Sequence, residues 1–286
     1  MKKPVRKASA STAPPSPSNR SVNPLADFAV AIATGDIRVV DLTHTLSPDF
    51  PTLVLPPELG QCAPFRIEEV SRYDERGRAW YWNTITMCEH TGTHFDAPIH
   101  WVSGRDLPNN ATDSIPAAHF IAPACVIDLS AQSAVDADAL LEVADIKAWE
   151  ARHGRIPPRH WVLLRTDWSK RDATEYVNLR DDGAHTPGPS PAAVRFLVDQ
   201  RDVLGFGVET IGTDAGQAHH FAPPYPAHFY LHGKGRYGLQ CLANLDQLPP
   251  TGAVIVAPPL KIRQGSGSPL RVLALVLATA SKGAAT

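Results

Sequence analysis

Residues 124–165 open on Ala124-Cys-Val-Ile-Asp128 and close on Trp161-Val-Leu-Leu-Arg165. Both runs are short and apolar, as strands buried on both faces are. Between them, Ala137 to His153 shows the chain's clearest amphipathic helical pattern, with Asp136 or Asp138 as its cap and Gly154 after its last turn. Together they make one strand–helix–strand unit. A second unit follows: Ser190-Pro191 starts a helix running to about Gln200, and Val203 to Val208 is the next strand. Upstream, Arg38 to Leu42 and Trp80 to Met87 read as strands; downstream, Val254 to Ala257 and Val272 to Ala278 do. The alternation predicts an α/β domain over residues 23–286, with helices packed on a mixed sheet. A short helix from Asn23-Pro24 to Ala33, stopped by Gly35, precedes it. Residues 1–22 carry Lys2, Lys3, Arg6, Lys7 and Arg20 and no acid among Ser, Ala and Pro, and are expected to be a disordered basic tail.

The composition excludes several function classes. A net charge of −2 gives no basic surface for nucleic acid or an anionic membrane. No apolar run reaches the roughly 18–20 residues that cross a bilayer. The basic start is followed by Ala-Ser-Ala-Ser-Thr-Ala-Pro-Pro rather than the apolar run of a signal peptide. Cys62, Cys88, Cys125 and Cys241 are far apart in sequence with no C-x-x-C pair, so they read as reduced, mostly buried thiols of a cytoplasmic protein. The 43% apolar content suits a globular core able to hold a buried polar site.

Chemistry concentrates in His90-Thr-Gly-Thr-His94-Phe-Asp96-Ala-Pro-Ile-His100, three histidines and an aspartate in eleven residues. Imidazole nitrogen and carboxylate oxygen together are ligands for Zn²⁺, Mn²⁺ or Fe²⁺. Thr91-Gly92-Thr93 opposes a long helix here. A strand beside a tight glycine turn instead converges His90, His94 and Asp96, and Pro98 aims His100 back toward them.

This string resembles the H-x-G-T-H-x-D-x-P-x-H motif of the cyclase-like metal hydrolases, which include bacterial kynurenine formamidase and isatin hydrolase, and it matches every fixed position. The similarity extends over most of residues 37–280. It includes Asp41-Leu-Thr-His-Thr-Leu, Leu164-Arg-Thr-Asp-Trp-Ser, Pro187-Gly-Pro-Ser-Pro191 and His228 to Leu248. The resemblance implies a compact β/β/α single domain, a homodimer or larger homo-oligomer, His90, His94 and Asp96 as metal ligands, and His100 as catalytic acid/base. In the formamidases a later His, with a Glu twelve residues on, holds a second metal; here those positions are His228 and Gln240. Neutral Gln240 lacks the charge that offsets a second dication, so the resemblance implies one divalent metal, Mn²⁺ ahead of Zn²⁺, as in isatin-hydrolase-like members. His228 and Gln240 then contact substrate or water. The expected reaction is hydrolysis of an amide C–N bond, in isatin or alternatively N-formylkynurenine; a non-catalytic metal-binding protein is the reading from another class.

Other features carry less. Trp80-Tyr81-Trp82 is expected to pack one or two rings in the core and to offer one, Trp80 or Trp82, to a flat aromatic substrate. Glu209 and Asp214 end a buried strand, where capping and turn roles are expected. His219-His220 reads as a loop near the entrance. Gly233-Lys-Gly-Arg-Tyr-Gly238 fits G-x-G-x-x-G, yet no helix-length pattern follows, so it reads as a turn. No G-x-S-x-G occurs, which disfavours a serine hydrolase.

Overall fold

Ile121–Asp128 and Trp161–Arg165 are adjacent parallel strands, Ala124 opposite Trp161 and Asp128 opposite Arg165. The computed structural model describes residues 23–53, 55 and 58–278; the expected basic tail, 1–22, lies outside them. The central pair belongs to a nine-stranded mixed sheet. From one edge its order is Ile37–Asp41, Leu273–Leu277, Thr251–Val256, Ile121–Asp128, Trp161–Arg165, Gly205–Val208, Tyr237–Gln240, His94–Asp96 and Gly267–Pro269. The four strands from Ile121–Asp128 to Tyr237–Gln240 run parallel, and every other pairing is antiparallel.

The pleat explains why Trp-Val-Leu-Leu is apolar throughout. Trp161 and Leu163 point into one core, Val162 and Leu164 into another, and all four are fully buried. Burial of each leucine contributes about 1.5–3 kcal/mol. The second core is covered by helices Val143–His153, Pro191–Arg195 and Pro226–Gly233, through Ile146, Trp149, Val194 and Leu231. The first is shared by Val40 and Val276 from one end of the sheet and Phe95 and Tyr237 from the other. The sheet therefore curls, and the bridge Thr43–Leu242 joins its flanks. Among the described residues no helix is long and apolar enough to cross a membrane.

Helix ends follow their capping chemistry. Asn23 accepts from the Ala26 amide, Gly35 closes Pro24–Thr34 at φ +83°, and Ser190 accepts from the Ala193 amide. The helix expected from Ala137 starts later, at Val143. Asp136 takes the Asp138 amide in a local turn, and Leu140–Leu141 pairs with Gly188–Pro189. The N-cap is Glu142, whose own amide donates to Asp145. A separate helix, Ser130–Val135, lies between the strand Ile121–Asp128 and this turn.

The tryptophan expectation also needs correction. Trp80 and Trp82 are 52% and 57% exposed, on or beside the hairpin formed by Arg66–Arg72 and Tyr81–Thr86, and neither packs in the core. The hairpin strands mix aromatic, β-branched and polar residues, and among the described residues nearly every side chain but Ser71 stays open.

Candidate active site

The string His90–His100 lies toward the far end of the sheet, its strand next to last. Gly92 at φ +61° turns the chain into the strand His94–Asp96, a left-handed conformation that L side chains rarely adopt. That strand is held on both sides, with His94 opposite Gln240 and Pro269, and Asp96 opposite Gly238 and Gly267. Gly238 is needed for close approach: a Cβ there would lie 2.7 Å from Asp96 Oδ2. This, rather than a dinucleotide turn, is the role of the last glycine in the G-x-G-x-x-G match.

Asp96 is fully buried and central. His90 Nδ1 lies 2.8 Å and His94 Nε2 3.3 Å from its Oδ1; Gln240 donates its amide to Oδ2, and His228 Nε2 is 3.9 Å from that oxygen. Burial alone would raise the Asp96 carboxyl, but the His90 hydrogen bond and the neighbouring imidazoles hold it well below the usual carboxylate range.

The outer hydrogen bonds fix the tautomers. His94 Nδ1 donates to the Gly92 carbonyl at 2.8 Å, and His232 Nδ1 to the Arg236 carbonyl at 3.1 Å. His228 Nδ1 donates to Asp214 Oδ2 at 2.6 Å. Ser266 donates its hydroxyl to Glu89, and its oxygen lies 2.9 Å from His90 Nε2. In the neutral rings of His94 and His232 the other nitrogen then carries a lone pair. His90 Nδ1 and His94 Nε2 converge on Asp96 Oδ1, and among the described residues the buried His232 Nε2 has no hydrogen-bond partner. Such outward-donating, inward-accepting imidazoles are the arrangement that holds a divalent metal. Ligand-competent atoms of His90, Asp96 and His100 lie within 4.8 Å of one another, as do those of Asp96, His228 and His232.

His100 ends the 3₁₀ turn Pro98–His100 and stacks on His90 with ring centroids 3.9 Å apart. Burial pushes it down to about 2; the Asp96 charge opposes this, and His90, His228 and His232 add to it. His232 is pushed down to about 3, again chiefly by burial. Burial also works against an imidazolium at His228, but the hydrogen bond and charge of Asp214 outweigh it and raise that group.

The Cyclase family model, described as "Putative cyclase", matches residues 40–215. This chain belongs to the putative cyclase family. An isatin hydrolase of Roseibium aggregatum is 46% identical over 255 residues, covering 88% of this chain and 97% of its own. The structure of isatin hydrolase A from Labrenzia aggregata bound to benzyl benzoate superposes with a TM-score of 0.88 at 60% identity, over 90% of this chain and all of that one. A kynurenine formamidase of Polaromonas naphthalenivorans is 32% identical over 194 residues, 67% of this chain and 73% of its own.

In this family member the structure brings His90, His94, Asp96, His100, His228 and Gln240 together. Trp80 stays in its hairpin, its indole over Gly77 and beside Ser71, and Trp82 lies opposite Ser71. Asp214 does cap, accepting the Ala227 amide, and also orients His228. Glu209 is buried and accepts from Thr166 and Ser169, a structural role. His219 and His220 stack on each other in a 3₁₀ turn. Sequence reasoning missed His232, although the spacing His228-x₃-His232 on one helix face was there to find. It also missed Glu89 and Ser266, for which no local signal exists.

Proposed function

We propose that this chain hydrolyses the amide C–N bond of a cyclic aromatic amide, isatin to isatinate, using one divalent metal held by His90, His94 and Asp96. The observation that carries this reading is the convergence of two imidazole nitrogens on Asp96 Oδ1, a donor set that suits a cation. The similarity to isatin hydrolase along nearly the whole chain supports the substrate. When bound, the cation eases deprotonation of the attacking water and stabilises oxyanion charge.

The chain's own residues do the rest. Burial keeps His100 neutral at working pH, and the Asp96 charge favours the imidazolium that forms when it takes the proton from water. The same burial makes the resulting imidazolium a strong acid, which favours passing the proton to the leaving nitrogen. Gln240 engages Asp96 Oδ2 without adding negative charge, which favours one metal, and neutral oxygen or water completing the site suits a hard, higher-coordinate Mn²⁺ ahead of tetrahedral Zn²⁺. His228 and Gln240 face the substrate or its water, and Trp80 and Trp82 offer flat apolar faces to an aromatic ring. Exposed Leu25, Val30, Trp80 and Trp82 support a homo-oligomer, and four free thiols a cytoplasmic setting.

Side-by-side turnover of isatin and N-formylkynurenine, with elemental analysis of protein purified without chelator, tests the reading. Isatin turnover with one metal per chain is expected. Hydrolysis of N-formylkynurenine alone would establish the second reading, which the formamidase similarity favours. Bound metal with no hydrolysis of either substrate would instead mark a binding protein.

A further inference from the structure

Two of the cysteines do not behave as the isolated thiols their spacing suggests. Cys62 precedes the strand Arg66–Arg72 and Cys88 follows the strand Tyr81–Thr86, so together they bracket the exposed hairpin. At its base the Ala63 amide donates to Cys88 Sγ at 3.1 Å, which sets the adjoining Cys62 beside Cys88. Both residues are partly exposed, whereas Cys125 and Cys241 are buried. Beyond Cys88 the chain continues directly into Glu89, which fixes Ser266, and into His90.

We propose that Cys62 and Cys88 form a reversible redox pair, oxidised by a peroxide to a disulfide that seals the base of the 66–86 hairpin and tethers the segment entering His90. Two partly exposed cysteines side by side, in a compartment where disulfides are transient, are suited to redox sensing. Peroxide oxidises the Cys88 thiol to a sulfenic acid and releases one water. The Cys62 thiol then attacks that sulfur, and its proton leaves with the sulfenic hydroxyl as a second water. Buried Cys125 and Cys241, pushed up by burial to about 11 and about 12, are internal controls.

The test treats the full chain, with its metal, with one equivalent of hydrogen peroxide and digests it without reductant. A Cys62–Cys88 linked peptide, two hydrogens lighter than the separate thiol peptides and lost on adding dithiothreitol, is expected. It should disappear in Cys62→Ser and in Cys88→Ser, and in Cys62→Ser the Cys88 sulfenic acid should be trapped by dimedone. Protease cleavage within residues 66–86 should slow in the oxidised protein. Two unlinked thiols, sulfinic acid without linkage, or links between separate chains would each overturn the proposal. The readout is independent of substrate, so failure of the assigned reaction would leave it intact.

Discussion

The strand His94–Asp96 and the hairpin 66–86 are both antiparallel β structure, yet their circumstances are opposite. The three-residue strand is buried at every position and paired on both sides, and its side chains are tied down by Gly92, Gln240 and, through His90, Ser266. Among the described residues the longer hairpin pairs only with itself and exposes nearly every side chain. Length therefore does not set how firmly β structure is held here; the number of independent partners does. Chemistry that depends on lone-pair direction sits in the first region, whereas the second has room to move, to bind or to be modified.

The comparison can be broken most forcefully at the site. His94→Ala and Asp96→Ala should each lose metal and turnover together, by elemental analysis and isatin assay; full activity without metal would end the assignment. His100→Ala should keep the metal while kcat falls about 10²–10⁴-fold, the usual contribution of a general acid–base group. Asp214→Asn, which weakens the orientation of His228, should cost about 10–100-fold in activity or metal affinity.

On stability, Trp161→Ala in the core should cost about 3–5 kcal/mol in denaturant unfolding. Trp82→Ala on the hairpin should stay within about 0.5 kcal/mol in a dissociated subunit. A larger loss there would show that the hairpin is buried by something within the same chain.

The smallest expected effect is a pH dependence outside both regions. His185 is bonded to Asp182 and Asp138, which raise it above its ordinary 6.5. A raised folded-state value means its stabilisation is full below that ordinary value and fades as pH rises through the folded one. Thermal melts of the wild type and His185→Gln should thus differ most on the acid side and converge at alkaline pH.

What was legible in the sequence follows the range of the interactions. The His90–His100 string could be read because one turn and one proline converge its ligands locally. Trp161 to Arg165 could be read because burial on both faces leaves an uninterrupted apolar run. The helix start could not: Leu140–Leu141 fits a helical apolar stripe, and only its pairing with Gly188–Pro189 makes it extended. Ser266 and the Cys62–Cys88 approach likewise arise from chain segments meeting in space, whereas His232 was within reach through its spacing from His228 on one helix. Trp80 and Trp82 misled because an aromatic, β-branched strand signals burial without saying what does the burying.

The double pairing of His94–Asp96 also sets when this site can come into being. Asp96 waits for Gln240, 144 residues later, and His90 for Ser266, 176 residues later. During synthesis the whole string emerges early but gains its last neighbour only when residues 266–269 have left the ribosome. Contacts so distant along the chain are closed late and at an entropic cost. A stalled or truncated product ending before them would carry every motif residue yet lack the orientation that lets those residues hold a cation.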